Sequence, residues 1–235
     1  MRILFRCDPA LFDLLPRPQP AREALPDWLR AMRPRVPSAV HQRAIRTVKQ
    51  CPPFVDAMSH GFVIGLPCDV VVRDGQFSWD WPLPALTLPN HPRAPLSFHV
   101  GEQLQGSPLA RDGQLAIKFN SFWTIELEAG WSLMVTHPVN RDDLPFRVVT
   151  GVVDADRFHD VGINFPAVWT DAVFEGTLPR GLPIAQCHPV RREADELVCE
   201  PMAVEHQLRY EAVAAQIMAG AGVYRKGYRG KRRVP

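Results

Sequence analysis

The chain predicts a mainly β domain, and three observations carry that expectation. From Gly61 to Glu200, short runs rich in Val, Ile, Phe, Trp and Thr recur; these residue types suit a pleated, half-buried surface. Gly, Pro, Asn and Asp separate the runs at short intervals. Strands alternating with long helices, the mark of a doubly wound parallel sheet, are missing. The pattern fits an antiparallel sandwich, barrel or related all-β body.

The other bounds agree. A chain of 235 residues holds one large domain with appendages. A net charge of +2 gives no global attraction to nucleic acid or to a membrane surface. No apolar run approaches the roughly 18–20 residues of a bilayer span. The N-terminal apolar run is short and meets Asp8 early, which argues against a signal peptide. Cys7, Cys51, Cys68, Cys187 and Cys199 are odd in number and lack CxxC spacing. They read as reduced thiols in a cytoplasm, with no membrane partner.

In chain order, residues 1–60 read as a proline-rich arm. "RILFRC" is a short strand, and prolines limit any following helix to a short one within Ala21–Met32. Trp28 and Leu29 pin the arm to the body. Residues 38–59 predict a helical stretch with Ala44, Ile45 and Val48 on one face, stopped or kinked by "CPPF". Residues 61–200 are the β domain. Its runs are "FVIGLPCDVVV", "QFSWDW", "LSFHV", "AIKFNSFWTIEL", "SLMVTH", "FRVVTGVVD", "DVGINF" and "PIAQCHPV". "RDGQ" at 73–76 and at 111–114 marks two hairpins, because Asp-Gly suits a turn that needs positive φ. Residues 201–235 are a helix over 201–221 and a basic tail. Pro201 suits the first turn, and Ala203, Gln207, Tyr210, Val213, Ala214 and Ile217 share a face.

Three phrases then stand in order: "GWSLMVTHPVNR" (130–141), "GVVDADRF" (151–158) and "LPRGLPIAQCHPV" (178–190). Together they resemble the dUTPase and dCTP-deaminase family, whose fold is a β-clip. Gly151, Asp154 and Asp156 match the glycine and acids of "GxIDxDY". Gly181, Ile184, Ala185 and Gln186 match "GxxIAQ". Asp69 in "LPCDVVV" matches the acid of an upstream "AGYDL". The likeness covers roughly residues 62–190 and implies a dUTPase-like β-clip body and a homotrimer with shared sites. The chain as a whole also resembles a family of phage and bacterial proteins of about this length. Its counterparts lie at 51–69, 119–125, 130–140, 151–169 and 178–192, and that resemblance implies no reaction.

The resemblance makes Asp154 the general base, with Asp156 beside it. Two nearby like charges disfavour the second ionisation and shift its pKa. The family's phosphate-holding "PRS" reads "PVN" at 138–140, its tyrosine position holds Arg157, and an arginine of its last motif is replaced by Pro183. Loss of bidentate phosphate contacts argues against a triphosphate substrate. The expected substrate pocket gathers Asn140, Arg141, Asn164 and Gln186, with Trp123 and Trp169 as aromatic walls. A divalent metal is the cofactor to test, with His137 and His159 as ligands, joined from afar by His60 and His99. Against these stand plainer readings. The acids can cap a turn, the asparagines can bond strand ends, and the tryptophans can be core.

Three functions follow. The first is an enzyme acting on a small molecule or modified residue through this acidic, polar pocket, with metal-dependent tailoring as one form. The second is a nucleotide hydrolase of the dUTP or dCTP type. The third is a binding or structural protein that keeps the β-clip without catalysis. Nucleic acid is a partner only through the basic tail 224–233.

Overall fold

The computed structural model describes residues 1–109 and 114–230. The second "RDGQ" lies at 111–114, so most of it falls outside the described residues, as does 231–233 of the basic tail. Two compact units form: Met1–Met32 with Asp56–Arg192, and Arg33–Val55 with Glu193–Pro235. This division cuts the chain differently from an arm ending at residue 60. The reason is the first strand, which belongs to the β body.

In the first unit the strands are β1 (Leu4–Arg6), β2 (Gln19–Pro20) and, after the short helix α1 (Asp27–Ala31), others numbered past the second unit's β3 (Arg35–Ser38) and β4 (Arg43–Arg46). Helix α2 (Pro52–Met58) leads to β5 (Phe62–Gly65), β6 (Val70–Arg73), β7 (Gln76–Ser78), β8 (Leu96–Phe98) and β9 (Ala116–Phe119). There follow β10 (Thr124–Glu126), β11 (Trp131–Thr136), β12 (Phe146–Val148), β13 (Gly151–Val153), β14 (Phe165–Trp169), β15 (Gly176–Leu178) and β16 (Pro183–Arg191). Helix α3 (Val204–Ala219) belongs to the second unit. The protein is thus mainly β, every strand pair among the described residues is antiparallel, and a substantial helix stands near the C-terminus.

The sheets of the first unit follow from apolar alternation. The order β13-β11-β16-β5-β2 forms one sheet, and β12-β14-β9-β8 and β15-β6-β7 form two others. Their inward residues make one core, including Ile64, Val70, Ile117, Phe119, Leu133, Phe146, Phe165 and Ile184, each no more than 2% exposed. The first "RDGQ" is the β6–β7 turn: Arg73 pairs with Gln76, and Asp74 and Gly75 hold φ of 50° and 70°. Two positive φ values are what a two-residue hairpin turn needs.

β1 pairs with β10, Arg6 opposite Thr124 and Leu4 opposite Glu126. Period-two alternation turns Phe5 and Ile125 to the core and leaves Arg6, Thr124 and Glu126 on the other face. A second apolar cluster of Leu11, Leu15, Phe122 and Trp123 lies beside this ribbon, with Phe5, Cys7 and Trp81 against it.

Several expectations need correction. Residues 38–59 are not one helix. Ala44 and Ile45 lie on β4, paired with Pro37 and Val36 of β3, and Val48 lies in a short 3₁₀ turn, Val48–Gln50. "CPPF" does not stop a helix but starts one, since Pro52 and Pro53 occupy positions whose N–H groups have no intrahelical partner. The arm's helix, by contrast, is short and within the expected bounds, Asp27–Ala31 with Pro26 before it, and Leu29 is buried as expected. "DVGINF" is a loop until Phe165, and β16 ends at Arg191 rather than near Glu200. In the C-terminal helix no side chain is fully buried, and Val213 and Ala214 are the half-buried pair.

Candidate functional site

The two acids of "GVVDADRF" meet a partner that sequence reasoning missed. Register places Trp131 opposite Arg191, so Arg192 lies beside Gly130 and its N–H donates to the Gly130 carbonyl at 3.0 Å. β11 separates this strand end from β13, and the Arg192 side chain reaches across. Its guanidinium contacts Asp154 Oδ1 at 3.0 Å and donates to both Asp156 oxygens at 2.8 and 2.5 Å. Ser132 Oγ donates to Asp154 Oδ1 at 2.7 Å, and the Gly130 N–H donates to Asp156 Oδ2 at 2.9 Å. The Asp156 side chain is 6% exposed, that of Asp154 51%.

This arrangement reverses the expected electrostatics. The hydrogen bond from Ser132 and then Arg192 hold the Asp154 carboxyl below the usual carboxylate range. Arg192, then the Gly130 N–H, hold Asp156 well below it. The shared cation cancels the like-charge repulsion that would have raised one pKa. A general base works best with a pKa near the operating pH, and both carboxyls move the other way. The acids clamp a strand end. The signal that identifies Arg192 in sequence is the basic pair closing the last strand, in register with Gly130.

The expected substrate residues do not gather in one pocket: among the described residues Arg141 and Gln186 alone of that set line a common void, of about 10 Å³, too small for a substrate. Gln186 is 2% exposed and fully engaged: Oε1 accepts from the Val139 N–H at 2.9 Å, and Nε2 donates to the Ala57 and His60 carbonyls at 3.0 and 2.7 Å. Asn140 is exposed in a left-handed turn with φ 58°. Arg141 is buried and grips Asp143 with two bonds of 2.8 and 2.9 Å. Asn164 is exposed before β14. Trp169 sits in the main core between Phe77, Phe146 and Phe174, its Nε1 donating to the Asp171 carbonyl. Trp123 sits in the second cluster, its Nε1 donating to the Pro16 carbonyl. Both indoles are framework because their N–H groups are satisfied by backbone.

The metal expectation is corrected likewise. His137 Nε2 donates to the Arg141 carbonyl at 3.0 Å and Nδ1 accepts from the Val148 N–H at 3.4 Å, so neither nitrogen is left for a metal. Burial lowers its pKa and keeps it neutral. His60 does meet another histidine: its Nδ1 lies 2.9 Å from His188 Nδ1. The ring planes differ by 15° and the centroids are 5.2 Å apart, about as far as that contact allows. The nitrogens face head-on, the linear geometry of a hydrogen bond, whereas lone pairs holding a metal would converge off that line. Among the described residues no group of three His, Cys, Asp or Glu side chains is placed to hold a metal ion.

One expected residue, His159, lies in a real cleft of about 640 Å³. Its floor is the outward face of the β1–β10 ribbon, with Arg6, Thr124 and Glu126. One wall is Leu88–Pro92. That wall is tied down by Asp8, which is 0% exposed and accepts from the N–H groups of Thr87 and Leu88 and from Thr87 Oγ1 at 2.8–2.9 Å. Burial works against ionising Asp8, but these bonds and that of the Ala10 N–H outweigh it and lower its pKa. The opposite wall is His159–Gly162 on Ser121 and Phe122. A Cβ at Gly162 would lie 2.5 Å from the Ser121 carbonyl oxygen, so only glycine lets this loop approach so closely.

Within the cleft Arg6 pairs with Glu126 at 2.5 Å and holds that carboxyl below its usual range. Burial, then Asp8, push the Cys7 thiol up, away from the thiolate form. Two of the lining residues, Thr124 on the floor and His159 on the wall, each carry a buried polar atom without a hydrogen-bond partner, Oγ1 and Nδ1. Buried polar groups are nearly always paired. Comparison with protein-family models, with curated proteins and with solved structures returns no match.

Proposed function

We propose that the protein binds a small organic molecule in the cleft between the 88–92 segment and the 159–162 loop. The observation that carries this reading is that two residues lining a cavity of ligand size, Thr124 and His159, each hold an unpartnered buried polar atom, Oγ1 and Nδ1. Leu88, Pro89, Phe122 and Val161 supply an apolar side. Glu126 and Asp160 outnumber Arg6, and Arg6 is already paired. The cleft therefore favours a neutral or amine-bearing molecule with hydrogen-bonding groups over a polyanion. In an enzymatic form of this reading, His159 is the imidazole that moves a proton.

A second, nucleotide-related reading has its own support. The three motif phrases fall on β11, β13 and β16, which are adjacent in one sheet, and the cleft loop begins just after Phe158 of "GVVDADRF". That juxtaposition is what favours a β-clip body and, with it, a homotrimer. A base or nucleoside then fits the cleft better than its triphosphate.

A thermal-shift screen tests both. Amines, amides and deoxynucleosides are expected to raise the melting temperature, and triphosphates with magnesium to leave it unchanged without releasing pyrophosphate. Turnover of dUTP or dCTP at enzyme-like rates overturns the first reading in favour of nucleotide hydrolysis.

A further inference from the structure

The second unit is charged differently from the first. Residues 33–55 and 193–235 hold twelve Lys and Arg against six Asp and Glu, whereas the remaining residues hold fifteen against nineteen. A net charge near zero over the whole chain hides a basic module.

The β3–β4 hairpin concentrates that charge. Arg35 lies directly opposite Arg46, and Arg43 lies opposite Ser38. Like charges directly opposite across strands are destabilising. Among the described residues none of Arg35, Arg43 and Arg46 has a carboxylate partner, and all three are exposed. An anion from outside removes this repulsion.

The C-terminal segment of the same unit adds to the hairpin. The Arg46 guanidinium packs on Gly222, where an added Cβ would lie 2.9 and 3.3 Å from its two terminal nitrogens. Two residues later the helical turn Tyr224–Tyr228, "YRKGY", begins. Its tyrosines are 48% and 52% exposed, with Arg225 and Lys226 exposed between them. Cations beside open aromatic faces are what a single-stranded nucleic acid requires: charge for the phosphates and rings for unpaired bases to stack on.

We propose that the hairpin residues Arg35, Arg43 and Arg46, with Tyr224, Arg225, Lys226 and Tyr228, form a docking face for single-stranded nucleic acid. A lipid surface fits less well. Helices that lie on anionic membranes carry Lys and Arg on their polar face, whereas α3 carries Glu205 and Glu211 against Arg209.

Fluorescence anisotropy of the full chain tests this with labelled 20-nucleotide dT and rU oligomers, a 20-base-pair duplex, and vesicles of phosphatidylserine and phosphatidylcholine. Single strands are expected to bind, with affinity falling as salt rises. The Arg35→Ala/Arg46→Ala pair is expected to reduce the log–log salt slope by about 1.4, from ~0.7 per phosphate contact. The Tyr224→Ala/Tyr228→Ala pair is expected to weaken binding at least about fivefold while leaving that slope in place. Failure of both oligomers to bind in 50 mM salt overturns the proposal. So does binding that neither pair alters, or tighter binding to duplex or to vesicles than to single strands.

Discussion

Replacing Gln186 by Leu separates a framework role from a ligand-binding one. Leucine keeps most of the volume and removes three hydrogen bonds, from the Val139 N–H and to the Ala57 and His60 carbonyls. His60 is exposed, so its carbonyl can turn to water. The Val139 N–H and the Ala57 carbonyl have less access. An unsatisfied buried group costs about 1–3 kcal/mol, so two of them predict a loss of about 2–6 kcal/mol. In a body of this size that lowers the melting temperature by about 4–24 °C. Circular dichroism melting measures it directly. Any ligand found by thermal shift should stabilise the variant by the same increment as wild type, because Gln186 does not line the cleft. A melting temperature within about 2 °C of wild type, or loss of the ligand response alone, refutes the reasoning.

Other outcomes follow from the same geometry. Asp156→Asn is expected to lower the melting temperature more than Asp154→Asn, since Asp156 is 6% exposed against 51% and takes two bonds from Arg192, and both variants should keep the ligand response; loss of that response in Asp154→Asn restores a catalytic acid. Burial lowers the pKa of His137 and His188, so the unfolded chain takes up protons first as pH falls through about 6.5. Stability is therefore full above that pH and declines below it, and His188→Gln should shrink the step; a melting temperature that rises from pH 7.5 to 5.5 contradicts the assignment. The lowered carboxyls Asp8, Asp143, Asp154 and Asp156 add a second loss only below about pH 4, where the unfolded acids protonate. Gly162→Ala should push the 159–162 loop off the Ser121 carbonyl and abolish ligand stabilisation, and an unchanged ligand affinity counts against this wall.

Local chemistry was legible in the sequence, and distant pairing was not. "RDGQ" announced the β6–β7 turn because Asp-Gly fixes positive φ within four residues. The β runs and the C-terminal helix were legible for the same reason, since periodicity is local. The β3–β4 hairpin was hidden by prolines and arginines that break the alternation. The cleft was hidden because its floor joins Arg6 to Thr124, which pair across more than a hundred residues. Asp154 and Asp156 stand out in the sequence as a close acidic pair. What they do depends on Arg192, which only the β11–β16 register brings to them. Gln186, Trp123 and Trp169 show the same limit: residue type suggests a contact, and the partner decides whether it is framework or site.

Thr124→Val tests the central claim most directly. Valine is nearly isosteric with threonine and removes the unpartnered hydroxyl. The melting temperature of the ligand-free protein is measured first, then its shift with the best compound from the screen. A hydroxyl kept for a ligand destabilises the empty cleft, so the variant should melt higher than wild type, by up to the few degrees that about 1–3 kcal/mol supplies. A ligand at a hundred times its Kd adds about 2.7 kcal/mol to wild type, and the variant should lose about 0.5–1.5 kcal/mol of that gain. A variant that melts lower than wild type and keeps the full ligand shift contradicts the account.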